Sequence, residues 1–258
     1  MIHFRHAIVR PPPASFAAGL TRADLGAPDL ALARAQHARY CAALEQCGLA
    51  LIRLPPDEAH PDSCFVEDTA LLTGRGAILL RPGAPSRQGE VASIAAVLRE
   101  RFDELPAITA PGTVDGGDVC QADGHFLIGL SARTNVDGAR QLQDLLARQG
   151  FTSATIDLGD HADLLHLKSG LGWLGDGRIA AVAALAAHPA LRAFEVIPVA
   201  PQESYAANCI RIGRHVILAA GHPGFAAAVR ALGYSVLALD LSEFRKMDGA
   251  LTCLSLRF

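Results

Sequence analysis

Five short polar segments of this chain hold the side chains most able to do chemistry. They read DSCFVED (residues 62–68), TVDGGD (113–118), HLKSG (166–170), SYAANC (204–209) and MDGALTC (247–253). Among them are thiols, an imidazole and several carboxylates. A nucleophile, a base and a third group that orients the base form the working set of a covalent hydrolase. Taken singly, most of these residues have a plainer reading. Cys253, in a closing apolar strand, reads as a small buried hydrophobe. His166, in LLHLKSG, reads as a hydrogen-bonded structural histidine. Asp115 and Asp118 flank Gly116-Gly117, which suits an ordinary turn. Glu67 and Asp68, side by side, would normally be solvated. They follow Phe65-Val66 and precede an apolar run, however, and a buried acidic pair needs a cation. A guanidinium, planar and able to donate paired hydrogen bonds, is such a cation. Cys209 rivals Cys253 as a nucleophile, but Ile210 and Ile212 suggest a strand interior.

The elements that must position these groups repeat. A helical run followed by an apolar strand recurs five times, at ALEQCGLALIRL (from Ala43), LRERFDELPAI (Leu98), LLARQGFTSATIDL (Leu145), PALRAFEVIPV (Pro189) and VRALGYSVLAL (Val229). Regular spacing of this kind marks a repeated supersecondary unit. Gly48, Gly150 and Gly233 stand just past three of the helices, where a left-handed cap favours a residue without Cβ. After each junction come a polar segment and a candidate hairpin, LLTGRGAILL, VCQADGHFLIGL, GWLGDGRIAAV and CIRIGRHVILAA, each split by a Gly-containing turn. The fifth unit has one strand left, in LTCLSLRF, and HAIVRPP near the start could pair with it. A ring of five units closed in this way leaves no exposed sheet edge. Pseudo-symmetry would then turn all five polar segments toward one central cavity. The alternative is an ordinary α/β sandwich with coincidental spacing.

Composition narrows the function. The chain has 258 residues, half of them hydrophobic, and a net charge of -3, so a large core is expected and disorder is not. No Lys/Arg cluster suggests nucleic acid as a partner. No stretch is apolar for long enough to span a membrane; the Ala-rich run 180–187 is too short. The start, MIHFRHAIVR, reads as a short charged strand rather than a secretory signal. The six cysteines form no C-x-x-C pair, so they are expected reduced and the protein cytoplasmic. GLGWLG at 170–175 spells G-x-G-x-x-G but runs into a GDGR turn, not the helix a dinucleotide site needs. His161 and His166 lack a surrounding ligand set, so no metal or other cofactor is expected.

In combination, FVED, the GGD turn after a carboxylate, LHLK, SYAANC and DGALTC resemble the dimethylarginine dimethylaminohydrolases of the pentein superfamily. PDSCFVED, SARTN and the closing SLRF extend the resemblance over essentially the whole chain. The resemblance implies one catalytic domain over 1–258, an α/β fold built as a five-bladed α/β-propeller of ββαβ units. It implies Cys253 as nucleophile, His166 as general acid and base, and Asp115 as the carboxylate that orients His166. Glu67 and Asp68 would bind the guanidinium. Asp62, Arg87 and Arg133 would hold the amino-acid end of the substrate. Phe65 would also contact substrate, Leu20 would belong to a lid, and the backbone at Met247 would make a further contact. The implied reaction takes a small molecule, free Nω-methylated arginine, to citrulline and an amine; a homodimer is compatible with it. Two other readings stay open: a deiminase of free arginine, and a non-catalytic binding protein on the same propeller. The presence of Cys253, His166 and Asp115 argues against the second.

Overall fold

The computed structural model describes residues 4–159, 161 and 163–258; the first three residues of the expected N-terminal strand lie outside them. Strand β1 (His6–Val9) is followed by helix α1 (Leu30–Gln46) and strand β2 (Ala50–Arg53), which returns parallel to β1. The next unit has the hairpin β3 (Ala70–Thr73) and β4 (Gly76–Leu79), then helix α2 (Val91–Arg99). The third has β5 (Val119–Ala122), β6 (His125–Leu130), α3 (Val136–Arg148) and β7 (Thr152–Asp157). The fourth has β8 (Leu171–Gly175), β9 (Arg178–Val182), the short α4 (Ala183–Ala186) and β10 (Glu195–Val199). The fifth has β11 (Ile210–Ile212), β12 (His215–Ala219), α5 (Pro223–Ala231) and β13 (Ser235–Leu239). A short helix α6 (Ser242–Arg245) and strand β14 (Leu256–Arg257) complete the series.

These strands form five small sheets among the described residues. The first two strands of each blade pair antiparallel, and the third joins the second in parallel across its helix. The expected closure is present: β14 pairs antiparallel with β1, Ala7 opposite Arg257 and Ile8 opposite Leu256. The backbone N–H groups of Arg5 and His6 both donate to the Phe258 carbonyl at 2.7 Å. The first strands of the blades touch around the centre, β14 against β3, β5 against β8, and β8 against β11. The fold is thus the five-bladed α/β-propeller. The middle strands β1, β4, β6, β9 and β12 are almost continuously buried, as strands covered on both faces must be.

Local chemistry accounts for the elements. Asp29 and Asn135 cap α1 and α3, accepting from Leu32 N at 3.0 Å and Gly138 N at 2.8 Å. Gly48, Gly150 and Gly233 take φ of 94°, 75° and 91° past α1, α3 and α5, the left-handed region in which glycine carries no Cβ penalty. Two blades depart from the expected pattern. The strand expected in LRERFDELPAI contracts to one bridge, Leu79 opposite Ala107; Pro106 has no N–H, and only its carbonyl and the Ile108 amide reach Leu79. The helical run expected in PALRAF is a 3-10 turn, Pro189–Leu191, after the single turn α4, because Pro189 cannot continue a helix. Nor does Cys253 lie in the final strand: it sits in a 3-10 turn, Thr252–Leu254, just ahead of β14.

That turn is braced by α1. Tyr40 is fully buried, and its hydroxyl lies 2.6 Å from Ser255 Oγ. Ser255 also accepts from Arg257 Nη1 at 2.7 Å. Tyr40→Phe therefore leaves Ser255 one partner and is expected to cost about 1 kcal/mol, read as a lower denaturant midpoint at unchanged slope. No helix among the described residues is long and apolar enough to cross a membrane.

Candidate active site

Each polar segment enters the inner strand of its blade through a 3-10 turn. These are Val66–Thr69, Gly116–Asp118, Leu167–Ser169, Pro201–Ala207 and Thr252–Leu254. The turns touch one another around the axis, the first with the second and fifth, the third with the second and fourth. Segments far apart in sequence therefore meet, as the repeat predicts. One cavity at this junction is lined by Leu20, Asp62, Phe65, Asp68, Arg87, Arg133, Leu165, His166, Met247, Asp248, Gly249 and Cys253.

His166 flanks its turn at the cavity wall, with Nε2 3.0 Å from Asp115 Oδ2. Asp115 is fully buried behind it and also accepts from Gly83 N at 2.8 Å. Burial pushes the His166 pKa down, but the Asp118 charge, the Asp115 hydrogen bond and the Asp68 charge outweigh it, raising it to about 9. The imidazole is therefore protonated at neutral pH. Cys253 is buried, and desolvation, with the nearby Glu67 and Asp68 charges, pushes its thiol up to about 12. The cavity wall thus carries both a neutral thiol and an imidazolium. The Cys209 thiol is also pushed up to about 12, but it packs among apolar side chains of the third, fourth and fifth blades and does not line this cavity.

Asp68 is wholly enclosed. Burial alone would raise its carboxyl. Arg87 Nη1 at 2.6 Å, the His166 charge and the Gly117 amide at 2.8 Å hold it down instead, at about 2. Asp62 accepts from Leu20 N, both oxygens at 3.1 Å. This bond ties the segment around Leu20, itself 41% exposed, to the cavity wall. Asp248 anchors the same segment by accepting from Arg22 N and Thr21 Oγ1. Among the described residues, no hydrogen bond or ion pair engages the Arg133 guanidinium at the wall.

One expected role meets a different geometry. Glu67 does not line the cavity. Its Oε1 pairs with Lys168 Nζ at 2.5 Å and Arg257 Nη2 at 3.5 Å, and its Oε2 accepts from Thr252 Oγ1 at 2.8 Å; it borders a separate cavity with Lys168 and Arg257. Asp68 alone of the pair faces the site. Arg87 lines the cavity, and its nitrogens are bonded to Asp68, Glu90 and the Phe65 carbonyl, so it also orients Asp68. Asp118, whose sequence setting suits a plain turn, also serves the site. It is fully buried, accepts from Leu167 N at 2.9 Å and Ser131 Oγ at 2.7 Å, and is the largest electrostatic influence raising the His166 pKa. Its place in TVDGGD, one residue beyond the glycine pair, was the available signal. Asp68, Asp115 and His166 bring potential ligand atoms within 4.8 Å of one another. A cation there would have to displace the Arg87, Gly83 and Gly117 contacts just described.

A family model described as arginine deiminase matches residues 58–186. The chain is 43% identical to an N(G),N(G)-dimethylarginine dimethylaminohydrolase of Pseudomonas aeruginosa, covering 99% of this chain and 100% of that protein. The chain belongs to the dimethylarginine dimethylaminohydrolase family. A namesake from Streptomyces coelicolor is 33% identical over 98% of this chain and 96% of its own. A cysteine-to-serine mutant of the Pseudomonas enzyme, solved with citrulline, superimposes with a TM-score of 0.96 at 43% identity over the whole of both chains. The N-terminal domain of the arginine dihydrolase ArgZ, at 18% identity, shares the fold with a TM-score of 0.85 and covers 99% of this chain and 97% of its own.

Proposed function

We propose that this protein hydrolyses free arginine methylated on its guanidinium, releasing citrulline and dimethylamine or methylamine. The observation that carries the reading is the convergence of Cys253, His166 and Asp68 on one buried cavity, in a chain of this family. A guanidinium is resonance-stabilised and weakly electrophilic, so it must be oriented and desolvated before attack. Asp68 binds its N–H groups, and Arg133 and Asp62 hold the α-carboxylate and α-amino group. The bound cation lowers the Cys253 pKa, and the thiol loses its proton to solvent. The thiolate attacks the central carbon, forming a carbon–sulfur bond. His166 donates its proton to the methylated nitrogen as that carbon–nitrogen bond breaks. A thiouronium remains on Cys253. The now neutral His166 takes a proton from water, the hydroxide attacks the same carbon, and the carbon–sulfur bond breaks to give citrulline. Glu67, held by Lys168 and Arg257, acts at one remove by fixing the turn that carries Asp68.

The working form in this reading is a cytoplasmic monomer or homodimer of one catalytic domain spanning residues 1–258. The test is citrulline formation from asymmetric dimethylarginine, monomethylarginine and arginine, compared side by side. Preferential turnover of the methylated substrates is expected. Preference for arginine would move the protein to the deiminase reading with the same residues in the same roles, a reading favoured by the arginine deiminase model match. Turnover of none of the three would sink the proposed substrate class.

Gly117→Ala probes the imidazole's seat. A Cβ at Gly117 would lie 2.6 Å from His166 Nδ1 and 2.7 Å from its Cγ, so the ring must shift. The expected result is a kcat lower by about tenfold to a hundredfold with a lowered but still cooperative unfolding transition, checked by steady-state kinetics alongside a thermal melt.

A further inference from the structure

Glu90 closes a buried line of charges that ends at the cavity. It is 2% exposed and does not line the cavity itself. Its Oε1 accepts from Arg87 Nε at 3.0 Å and its Oε2 from Arg87 Nη2 at 2.8 Å, a two-point fork of the strongest protein type. The remaining terminal nitrogen, Nη1, donates to Asp68 Oδ2 at 2.6 Å. Arg87 and Glu90 belong to one 3-10 turn, Pro85–Glu90, where residues three apart eclipse. The other cation near Glu90 is matched elsewhere: Arg10 pairs with Asp57 at 3.3 Å and donates to Ser93 Oγ at 2.8 Å.

Charge counting gives the arrangement its meaning. Arg87 and Asp68 alone would cancel, and that part of the wall would be a neutral pair; His166, with Asp115 and Asp118 behind it, forms a separate charged group alongside. Glu90 adds a second anion to the same guanidinium, so the three side chains together carry one negative charge. We propose that Glu90 is a positioning residue that neutralises Arg87, leaving Asp68 to meet the substrate guanidinium as a net anion. The fork also holds Arg87 in the one orientation that places Nη1 against Asp68. This inference rests on the proposed function for the identity of the cation.

The test uses the full chain in a Cys253→Ala background, titrated with L-arginine and with L-citrulline, its neutral urea counterpart. Glu90→Gln is expected to weaken arginine by about tenfold or more and citrulline by less than about twofold. Glu90→Asp, which keeps the charge, is expected to retain most of the arginine affinity. Equal weakening of both ligands marks a merely structural role and overturns the proposal, as does no weakening of either. Should Glu90→Gln not fold, as judged by thermal melting, Glu90→Met carries the same comparison with an apolar side chain of similar volume. A second readout needs neither turnover nor affinity for amino acids. It is the rate at which Cys253 is alkylated by 2-chloroacetamidine, a cation, relative to neutral chloroacetamide, followed by mass spectrometry with Cys253 intact. Glu90→Gln is expected to cut that preference by about tenfold, and an unchanged preference overturns the proposal. Failure of the wild type to release citrulline from any methylated arginine would instead remove the substrate assignment and leave this comparison standing.

Discussion

Cys253→Ala abolishes citrulline formation, with an expected loss of about ten-thousand-fold or more in kcat, the scale seen when a covalent nucleophile is removed. The expectation rests on position rather than on thiol chemistry alone. Six cysteines are present as free thiols, but Cys253 is the one that lines the cavity shared by His166 and Asp68. Cys209→Ala should leave kcat within about twofold, because that thiol packs among apolar neighbours and its loss is a core adjustment. Binding should survive in Cys253→Ala: with the sulfur gone, Asp68, Asp62 and Arg133 still face the ligand. The assay is initial-rate citrulline release with calorimetric titration of the substrate. Residual turnover above about one percent of wild type would mean that another group attacks the guanidinium.

The second large effect concerns His166. His166→Ala should lower kcat by about a thousandfold, within the range for loss of a general acid and base. The wild-type pH profile carries the sign. With its pKa raised to about 9, His166 keeps its proton through neutral pH and loses it as pH rises through that value. The departing amine needs that proton, so kcat/KM should fall on the alkaline side near pH 9. The same shift links to stability. Tying up a protonated His166 stabilises the fold fully below the ordinary histidine pKa, and that contribution fades as pH climbs through about 9. Asp118→Asn, which removes the leading charge behind the shift, should move the alkaline limb toward neutrality. A flat profile between about pH 7 and about pH 10 would show that His166 is not the acid.

The propeller was legible because its signals are local and repeated. Glycine in each hairpin turn, glycine past three helices and an unpartnered last strand all belong to the sequence, and pairing that strand with β1 follows from counting. What escaped has local causes too. Pro106 interrupts a strand whose composition is otherwise apolar, and Pro189 shortens a helix whose alanines favour it. In the site, Cys253, His166 and Asp115 each had a plainer reading taken singly, and their roles were legible only through the resemblance that the five polar segments carry in combination. The parting of Glu67 from Asp68 was hidden. They are neighbours in sequence, but a 3-10 turn rotates successive side chains by about 120°, sending Asp68 to the cavity and Glu67 to Lys168. Glu90 was hidden for the complementary reason. Its pairing with Arg87 depends on the chain between them taking 3-10 rather than α geometry, and no residue in PSRQGE announces that choice.

The pairing of β1 with β14 also bears on how the activity is gained. The two strands are about 250 residues apart in the chain, and the turn holding Cys253 ends one residue before β14. Four blades can acquire their sheets from neighbours close in sequence. The blade of β1, β2 and β14 must close the longest loop in the molecule, the step with the largest entropic barrier. In refolding from denaturant, blade-level secondary structure should therefore return first and catalytic competence last, which makes turnover itself a reporter of ring closure.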